Sequence, residues 1–390
     1  MKKVIKRLVA IALLGTMLAV TAACGNTGTD TDTNTNTDTD TDTVTGTDVN
    51  TDTTGGETEP PSEGLICFSG TSLSYYFFVA EQEAARRAVE SYGYTFEAAN
   101  AEFESVTENN NFNNFIAKEP IAIIADPADT DGIIAPLDRC KEMGIPVAII
   151  DATVGEGGTA GVTITFDNYG AGAAAAEKIV ELLTERYGEP KGRVLNAYGI
   201  QNNEAIRNRR QGFVDEMEKY PNIELIEVPG EGNMDTTMNA ALNALSMYGT
   251  FDAMHAPSDS PCMGLYEALN RTGNLHKVGE EGHVILVSID GEPIAIERIK
   301  EGYYDASINQ DAVAYAEIAM EMLHTYLLRG LEVPVGTTYT NDRYIWETSE
   351  IVESKNGPML VVPTTLIDTS NCDDPRLWGN IAMNELGVTY

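Results

Sequence analysis

The sequence predicts an α/β protein built as two lobes, each a parallel sheet covered by helices on both faces. From residue 65 onward, short apolar runs alternate with helix-length amphipathic patterns, as parallel strands joined by crossover helices require. About 325 residues follow Gly64, more than one hydrophobic core usually organises, so two lobes are expected. The apolar runs also close repeatedly on polar residues, among them Asp126, Asp151, Asp167, Asp290 and Gln310, which places polar side chains at the carboxyl ends of the strands.

Strands are expected over 65–69, 121–125, 147–151, 162–166, 193–198, 223–228, 253–256, 284–289 and 306–309. Helices are expected over 78–91, 131–143, 169–187, 204–220, 236–247, 261–272, 293–301 and 311–328. Asp167 and Asn168 stand where an N-cap would open the Ala-rich helix, and Pro293 falls in the first turn of its own. The tail differs, with strand-like stretches over 339–346 and 359–367 and a terminal Leu377-Trp378-Gly379-Asn380 segment.

The first residues carry Lys2, Lys3, Lys6 and Arg7 ahead of an apolar run over 8–23, the plan of an export signal too short to span a bilayer permanently. Thr21-Ala22-Ala23-Cys24-Gly25 closes the run and resembles the lipobox of bacterial lipoproteins, although that pattern usually has Leu where Thr21 stands. Cleavage before Cys24 and lipidation of Cys24 are therefore expected. Residues 26–58 are nearly all Thr and Asp, too polar to bury a core, and form a tether of roughly 30 Å reach. The formal charge is −35, and loss of the leader makes the remainder four units more negative, which excludes nucleic acid and anionic lipid surfaces as partners. Cys67, Cys140, Cys262 and Cys372 are too widely spaced to pair from sequence, and buried free thiols compete with disulfides.

Known catalytic patterns are missing. There is no P-loop and no G-x-S-x-G, and Gly155, Gly157, Gly158 and Gly161 precede a strand instead of opening a helix, so they do not form a dinucleotide fingerprint. His255, His276, His283 and His324 lack metal-ligand spacing. In the segment from Asp126 to Gly132 a calcium-loop register would put Pro127 at the first ligand position, so no metal or other cofactor is expected.

At the strand ends, Tyr75, Phe77 and Phe78 supply aromatic rings, while Asp126, Asp151, Asp290 and Gln310 supply planar hydrogen-bonding groups. Rings cover the apolar face of a sugar and planar groups bond adjacent hydroxyls in pairs. Each has a plainer alternative: a turn at Asp290-Gly291, a helix-opening turn at Asp126-Pro127, core for Phe77 and Phe78.

These residues resemble the sugar-binding group of the type I periplasmic binding proteins, typified by the ribose binders, over about 65–340. Phe77-Phe78-Val79 is similar to the family's Pro-Phe-Phe-Val segment, and Asp126-Pro127-Ala128-Asp129 to its Asn-Pro-x-Asp turn. Ile149-Ile150-Asp151 matches the strand that delivers a ligand aspartate, and Asp167-Asn168-Tyr169-Gly170 the first crossing between lobes. The helix from Arg207 to Phe213 matches the one that supplies a sugar-binding arginine, here Arg209, and Ser258-Asp259, Asp290-Gly291 and Gln310 match further stations. The resemblance implies that Phe77 and Phe78 stack on the sugar while Asp151, Arg209, Asp290 and Gln310 bond its hydroxyls. Tyr75, Asp126 and Ser258 replace asparagines of the ribose binder, and Ala152 replaces a second arginine. Losing that arginine and gaining an acid argue against ribose itself. The aromatic expected from the opposite lobe is missing near Asn233-Met234-Asp235, where Met234 is expected to fill the space.

The resemblance further implies two Rossmann-like lobes joined by a three-segment hinge, with crossings near Asp167, Gln310 and 336–342. The expected division is a leader at 1–23, the lipidated Cys24 and tether at 24–63, one lobe from 64–166 with 311–338, and a second from 167–310 with 339–390. The function implied is a monomeric, non-enzymatic solute-binding lipoprotein on the outer face of the cytoplasmic membrane, which hands a monosaccharide or polyol to an ATP-binding-cassette permease. A sugar or autoinducer sensor of the same fold stays open beside it. A glycoside hydrolase using Asp151 and Asp290 is the remote alternative.

Overall fold

The computed structural model describes residues 58–201 and 203–389; the expected leader, Cys24 and nearly all of the tether lie outside the described residues. The strands are β1 Leu65–Gly70, β2 Thr95–Asn100, β3 Ala122–Ala125, β4 Val147–Asp151, β5 Val162–Phe166, β6 Gly192–Tyr198 and β7 Ile223–Pro229. They continue as β8 Ala253–His255, β9 Ile285–Asp290, β10 Ala306–Asn309, β11 Thr337–Thr340, β12 Thr348–Ser354, β13 Gly357–Val362 and β14 Thr365–Ile367. The helices are α1 Tyr76–Ser91, α2 Ser105–Ile116, α3 Ile134–Glu142, α4 Asn168–Tyr187 and α5 Glu204–Met217. After them come α6 Met234–Tyr248, α7 Asp259–Thr272, α8 Pro293–Glu301, α9 Ala312–Thr325 and the short α10 Trp378–Ile381.

Two sheets form. An eight-stranded sheet runs β11-β12-β13-β5-β4-β3-β1-β2 and a six-stranded sheet runs β14-β10-β9-β8-β6-β7. The central strands are parallel and buried along nearly their whole length, which is why they read as continuous apolar runs. Only β11, β12 and β14 add antiparallel pairings.

The chain leaves the first sheet after Phe166 and enters α4, capped by the Asp167 carboxylate, which accepts from the Gly170 N–H; α4 packs on β9 and β10 of the second sheet. It returns after Gln310 into α9, capped by Asp311 and packed on α1, β4 and β5. The third crossing, expected at 336–342, falls instead between Val362, paired with Phe166 in the first sheet, and Thr365, paired with Asn309 in the second. Strands β11–β13 therefore belong to the first lobe, correcting the assignment of 339–362 to the second. Their alternating pattern specifies an antiparallel ribbon but not the sheet it joins; parallel pairing of β13 with the open edge of β5 decides that.

Three further departures have local causes. The sequence pattern misses β2, an edge strand with no fully buried position. It also misses α2, whose asparagine-rich sequence has low helix propensity and is held by buried Phe112 and Phe115. The strand expected over 339–346 stops at Thr340, because the Asn341 side chain accepts from the Arg343 N–H and turns the chain, and Tyr344 then stacks on Trp346 at 5.0 Å. All four body cysteines are free and buried.

The tail contacts both lobes. Trp378 is fully buried; its indole N–H donates to the Asp290 carbonyl at 2.7 Å, and its ring meets Phe77 edge-on at 5.6 Å. Further along, the Val388 carbonyl accepts from the Tyr76 hydroxyl at 2.9 Å, and Glu385 and Leu386 carbonyls accept from Arg87.

Candidate functional site

The carboxyl ends of the central strands in both sheets carry one connected polar system. Arg209, on α5, is its centre and is only 3% exposed. Its position follows from a close helix crossing: a Cβ on Gly172 of α4 would collide with the Arg209 carbonyl, and one on Gly212 of α5 with the Tyr169 carbonyl. Only hydrogen at both positions lets the two helices approach this closely, and that approach sets the guanidinium among the strand ends.

The guanidinium is almost fully engaged. Nε donates to Asn168 Oδ1 at 2.9 Å; Nη1 faces the Pro257 carbonyl at 2.6 Å, Asp290 Oδ1 at 2.7 Å and Ser258 Oγ at 3.1 Å. Nη2 donates to Gln310 Oε1, and the Gln310 amide in turn donates to Asp151 Oδ1 at 2.5 Å. A guanidinium has five N–H groups, so about one is left for a solute. The relay runs from the second lobe (Arg209, Ser258, Asp290) through the crossing residue Gln310 to the first lobe at Asp151.

Asp151 and Asp290 both take left-handed backbone conformations, with φ of 57° and 119°. Such strain costs about 1–3 kcal/mol at a non-glycine residue and persists only where neighbours hold it. Here Gln310 holds the Asp151 carboxylate and Arg209 holds that of Asp290. Burial pushes the Asp151 carboxyl up to about 6 against the opposing pull of Arg209, and Asp290 is likewise raised by burial and restrained by Arg209.

The first lobe's remaining groups are different. Asp126 is 1% exposed with its Oδ2 unpartnered, and burial followed by the neighbouring Asp151 charge drives its carboxyl well above the usual range. Glu81 on α1 is fully buried, neither oxygen has a partner, and burial, then Asp126, then Asp151 raise it strongly. Tyr315 on α9 lies beside Asp151 and Gln310, but its hydroxyl makes no well-formed hydrogen bond. Ser69 Oγ at the end of β1 and both amide atoms of Asn309 at the end of β10 are also unpartnered.

Of the aromatics, Phe77 is buried among Trp378, Tyr315 and Phe78, whereas Phe78 and Tyr75 are half-buried and meet Phe103 edge-on at 5.9 and 6.0 Å. Met234 is 38% exposed in the first turn of α6. The expected residues thus separate into the relay Asp151, Arg209, Ser258, Asp290 and Gln310, the neighbouring Asp126, and an aromatic flank. Sequence reasoning missed Glu81, Asn168, Phe103, Tyr315 and Trp378. Glu81 had a signal: it sits four residues after Phe77 on the buried stripe of α1, where a carboxylate has no structural reason to be.

A family profile described as "Periplasmic binding protein domain" matches residues 66–331. The chain is a periplasmic binding protein. Its two α/β sheets and ribose-binder relatives place it in the type I, sugar-binding group. Among relatives of this binding protein is the D-apiose import binding protein of Actinobacillus succinogenes, 26% identical over 68% of this chain and 83% of the relative. Another is the ribose import binding protein of Escherichia coli, 22% identical over 64% and 80% of the two chains. Solved structures share the fold: a galactofuranose binding protein aligns with TM-score 0.66 at 19% identity over 83% of this chain and 99% of that one. A solute-binding protein of Bacillus halodurans with bound myo-inositol aligns with TM-score 0.65 at 21% identity over 83% and 99%.

Proposed function

We propose that this periplasmic binding protein captures a monosaccharide or related polyol between its lobes, outside the cytoplasm, and delivers it to an ATP-binding-cassette permease. The observation that carries the reading is the relay Asp151–Gln310–Arg209–Asp290, which joins both lobes through a crossing residue at the strand ends. A solute that bonds both ends of such a relay stabilises the closed arrangement over the open one, which is the signal a permease needs. Phe78 and Tyr75 supply an aromatic wall, with Phe77 behind them. Ser258 and Asp126 complete the polar contacts, and lipidation at Cys24 holds the protein beside the membrane.

Binding without turnover fits the same geometry. The two carboxylates a glycosidase would use, Asp151 and Asp290, are already engaged by Gln310 and Arg209. Relatives are named as import binding proteins.

The test is a thermal-shift and calorimetric screen of the mature protein against pentoses, hexoses, deoxy sugars, amino sugars and polyols. A true ligand at 100 times its dissociation constant adds about 2.7 kcal/mol of stability. Stabilisation by a nucleoside or an amino acid, with none by any sugar or polyol, would remove the monosaccharide assignment. Metabolic labelling with a fatty acid, lost in Cys24→Ala, tests the anchor.

A further inference from the structure

One residue of the tail touches a candidate binding group from each lobe. Trp378, fully buried, donates its indole N–H to the Asp290 carbonyl at 2.7 Å, and its ring meets Phe77 edge-on at 5.6 Å. Asp290 ends β9 in the second sheet, whereas Phe77 stands in the first turn of α1 beside the first sheet. Phe77 in turn meets Phe78, the half-buried ring of the aromatic wall, edge-on at 5.5 Å.

Asp290 is a residue whose backbone needs holding. Asp290 and Gly291 take successive positive φ values, 119° and 79°, and a non-glycine residue keeps such a conformation only where its surroundings impose it. The Asp290 carbonyl accepts from two sides, from the Gln310 backbone N–H at 2.9 Å and from the Trp378 indole. Both lone pairs are thereby used, which fixes the peptide plane after Asp290 and with it the direction from which its carboxylate meets Arg209. The tail backbone closes on the same turn, since a Cβ on Gly379 would collide with the Gly291 carbonyl.

Any buried indole N–H needs an acceptor, and an ordinary core tryptophan can take one from many places in the backbone. Here the acceptor belongs to the strained residue that pairs with Arg209, and the tail is pinned on either side of Trp378. Leu377 is buried in the second lobe's core, and the Asn380 amide donates to the Cys372 and Asp374 carbonyls. On the first lobe, Tyr76 donates to the Val388 carbonyl at 2.9 Å.

We infer that Trp378 is a positioning residue for solute binding, setting the Asp290 carboxylate through its carbonyl and the Phe77 and Phe78 rings through its own. This rests on the monosaccharide reading above. It makes the tail, which lies beyond the family match ending at residue 331, a working part of the binding site.

The experiment pairs calorimetry with hydrogen-exchange mass spectrometry on the mature protein, at a temperature where the variants are folded by circular dichroism. The probes are D-apiose, D-ribose, D-galactose and myo-inositol, with any further hit from the sugar and polyol screen. Trp378→Phe keeps a ring against Phe77 and removes the donor; affinity is expected to fall about fivefold, with faster exchange at the Gly291 and Glu292 amides and not in α1. Trp378→Leu removes both contacts; affinity is expected to fall about thirtyfold, and the first turn of α1 also exchanges faster. Ile351→Ala, a cavity at a buried position of β12, is the control for stability alone: it lowers the melting temperature and leaves affinity within about twofold. If the Trp378 variants melt lower but bind a probe as tightly as the unaltered protein, the inference is overturned and the monosaccharide reading stands. If Trp378→Leu does not fold, Trp378→Phe decides alone. If no sugar or polyol binds the unaltered protein, the monosaccharide reading fails and exchange decides the positioning role: loosening confined to the Asp290 turn in Trp378→Phe upholds it, and unchanged or uniformly faster exchange overturns it.

Discussion

The two walls of the cleft are built on opposite plans. The second lobe's wall is largely paired: Arg209 is bonded by five acceptors, and buried Asp259 behind it accepts from Ser307, Ser288 and the Glu292 N–H, while the Asn309 amide at the end of β10 is left over. The first lobe's wall is unfinished, with Ser69, Glu81, Asp126 and Tyr315 all holding unpartnered atoms. A satisfied buried network fixes a conformation, whereas an unsatisfied one is costly until something completes it. On the function proposed above, the more fully paired wall contributes more to the fold and the less paired one more to the solute, and substitutions should divide along the same line.

The sharpest break in that contrast is Arg209→Met. It strands Asp290 as a buried unpaired charge and frees the acceptors on Asn168, Pro257 and Gln310. Urea denaturation should show a loss of about 3–5 kcal/mol. A loss under 1 kcal/mol would mean that the second wall is not the structural one. Gly212→Ala tests the same wall through the backbone that positions it. The added methyl meets the Tyr169 carbonyl and forces α4 and α5 apart, and should cost about 2–3 kcal/mol and weaken sugar binding.

The pH dependence of the ligand-free protein comes next. Burial raises Asp151 to about 6, Glu108 and Asp311 to about 7 and Asp259 to about 8, from ordinary values of 3.8 or 4.5. The folded state therefore holds protons that the unfolded chain has already released. Their contribution is complete below about pH 4, where both states are protonated, and is lost as pH rises through the folded values. Melting of the ligand-free protein should reveal stability falling steadily between pH 4 and 8. Asp259→Asn should flatten the upper part of that slope; a profile rising with pH would contradict it.

The smallest effect has the opposite sign. Glu81→Leu removes an orphan carboxylate from an apolar helix face and should stabilise the ligand-free protein by about 1 kcal/mol. A destabilisation as large as that of Arg209→Met would erase the contrast between the walls.

Much of this was legible in the sequence, for identifiable reasons. Parallel strands buried on both faces announce themselves as apolar runs, and the residue after each run must lie at a carboxyl end, so Asp126, Asp151, Asp290 and Gln310 could be placed without coordinates. Glu81 could not, because its chemistry depends on which carboxyl groups lie across from its helix, and helical spacing says only that it faces inward. Trp378 shows the same limit at longer range. It reaches Asp290, Phe77 and Tyr76 across roughly 90 to 300 residues of chain, and no local pattern encodes such a contact. The place of β11–β13 was hidden because an antiparallel ribbon fits any open edge.

The tail also decides where the protein can be cut. The family match stops at residue 331, and an expression boundary drawn there would look complete by homology. Yet it would strip three strands from one sheet and a fourth from the other, leaving the edges of β5 and β10 unpaired. It would also uncover the aromatic face that Trp378 closes against Tyr76 and Phe77. The smallest piece of this chain that can be handled as a soluble receptor therefore runs through Val388, whose carbonyl is the last bonded to Tyr76, and a shorter one should be recovered as aggregate.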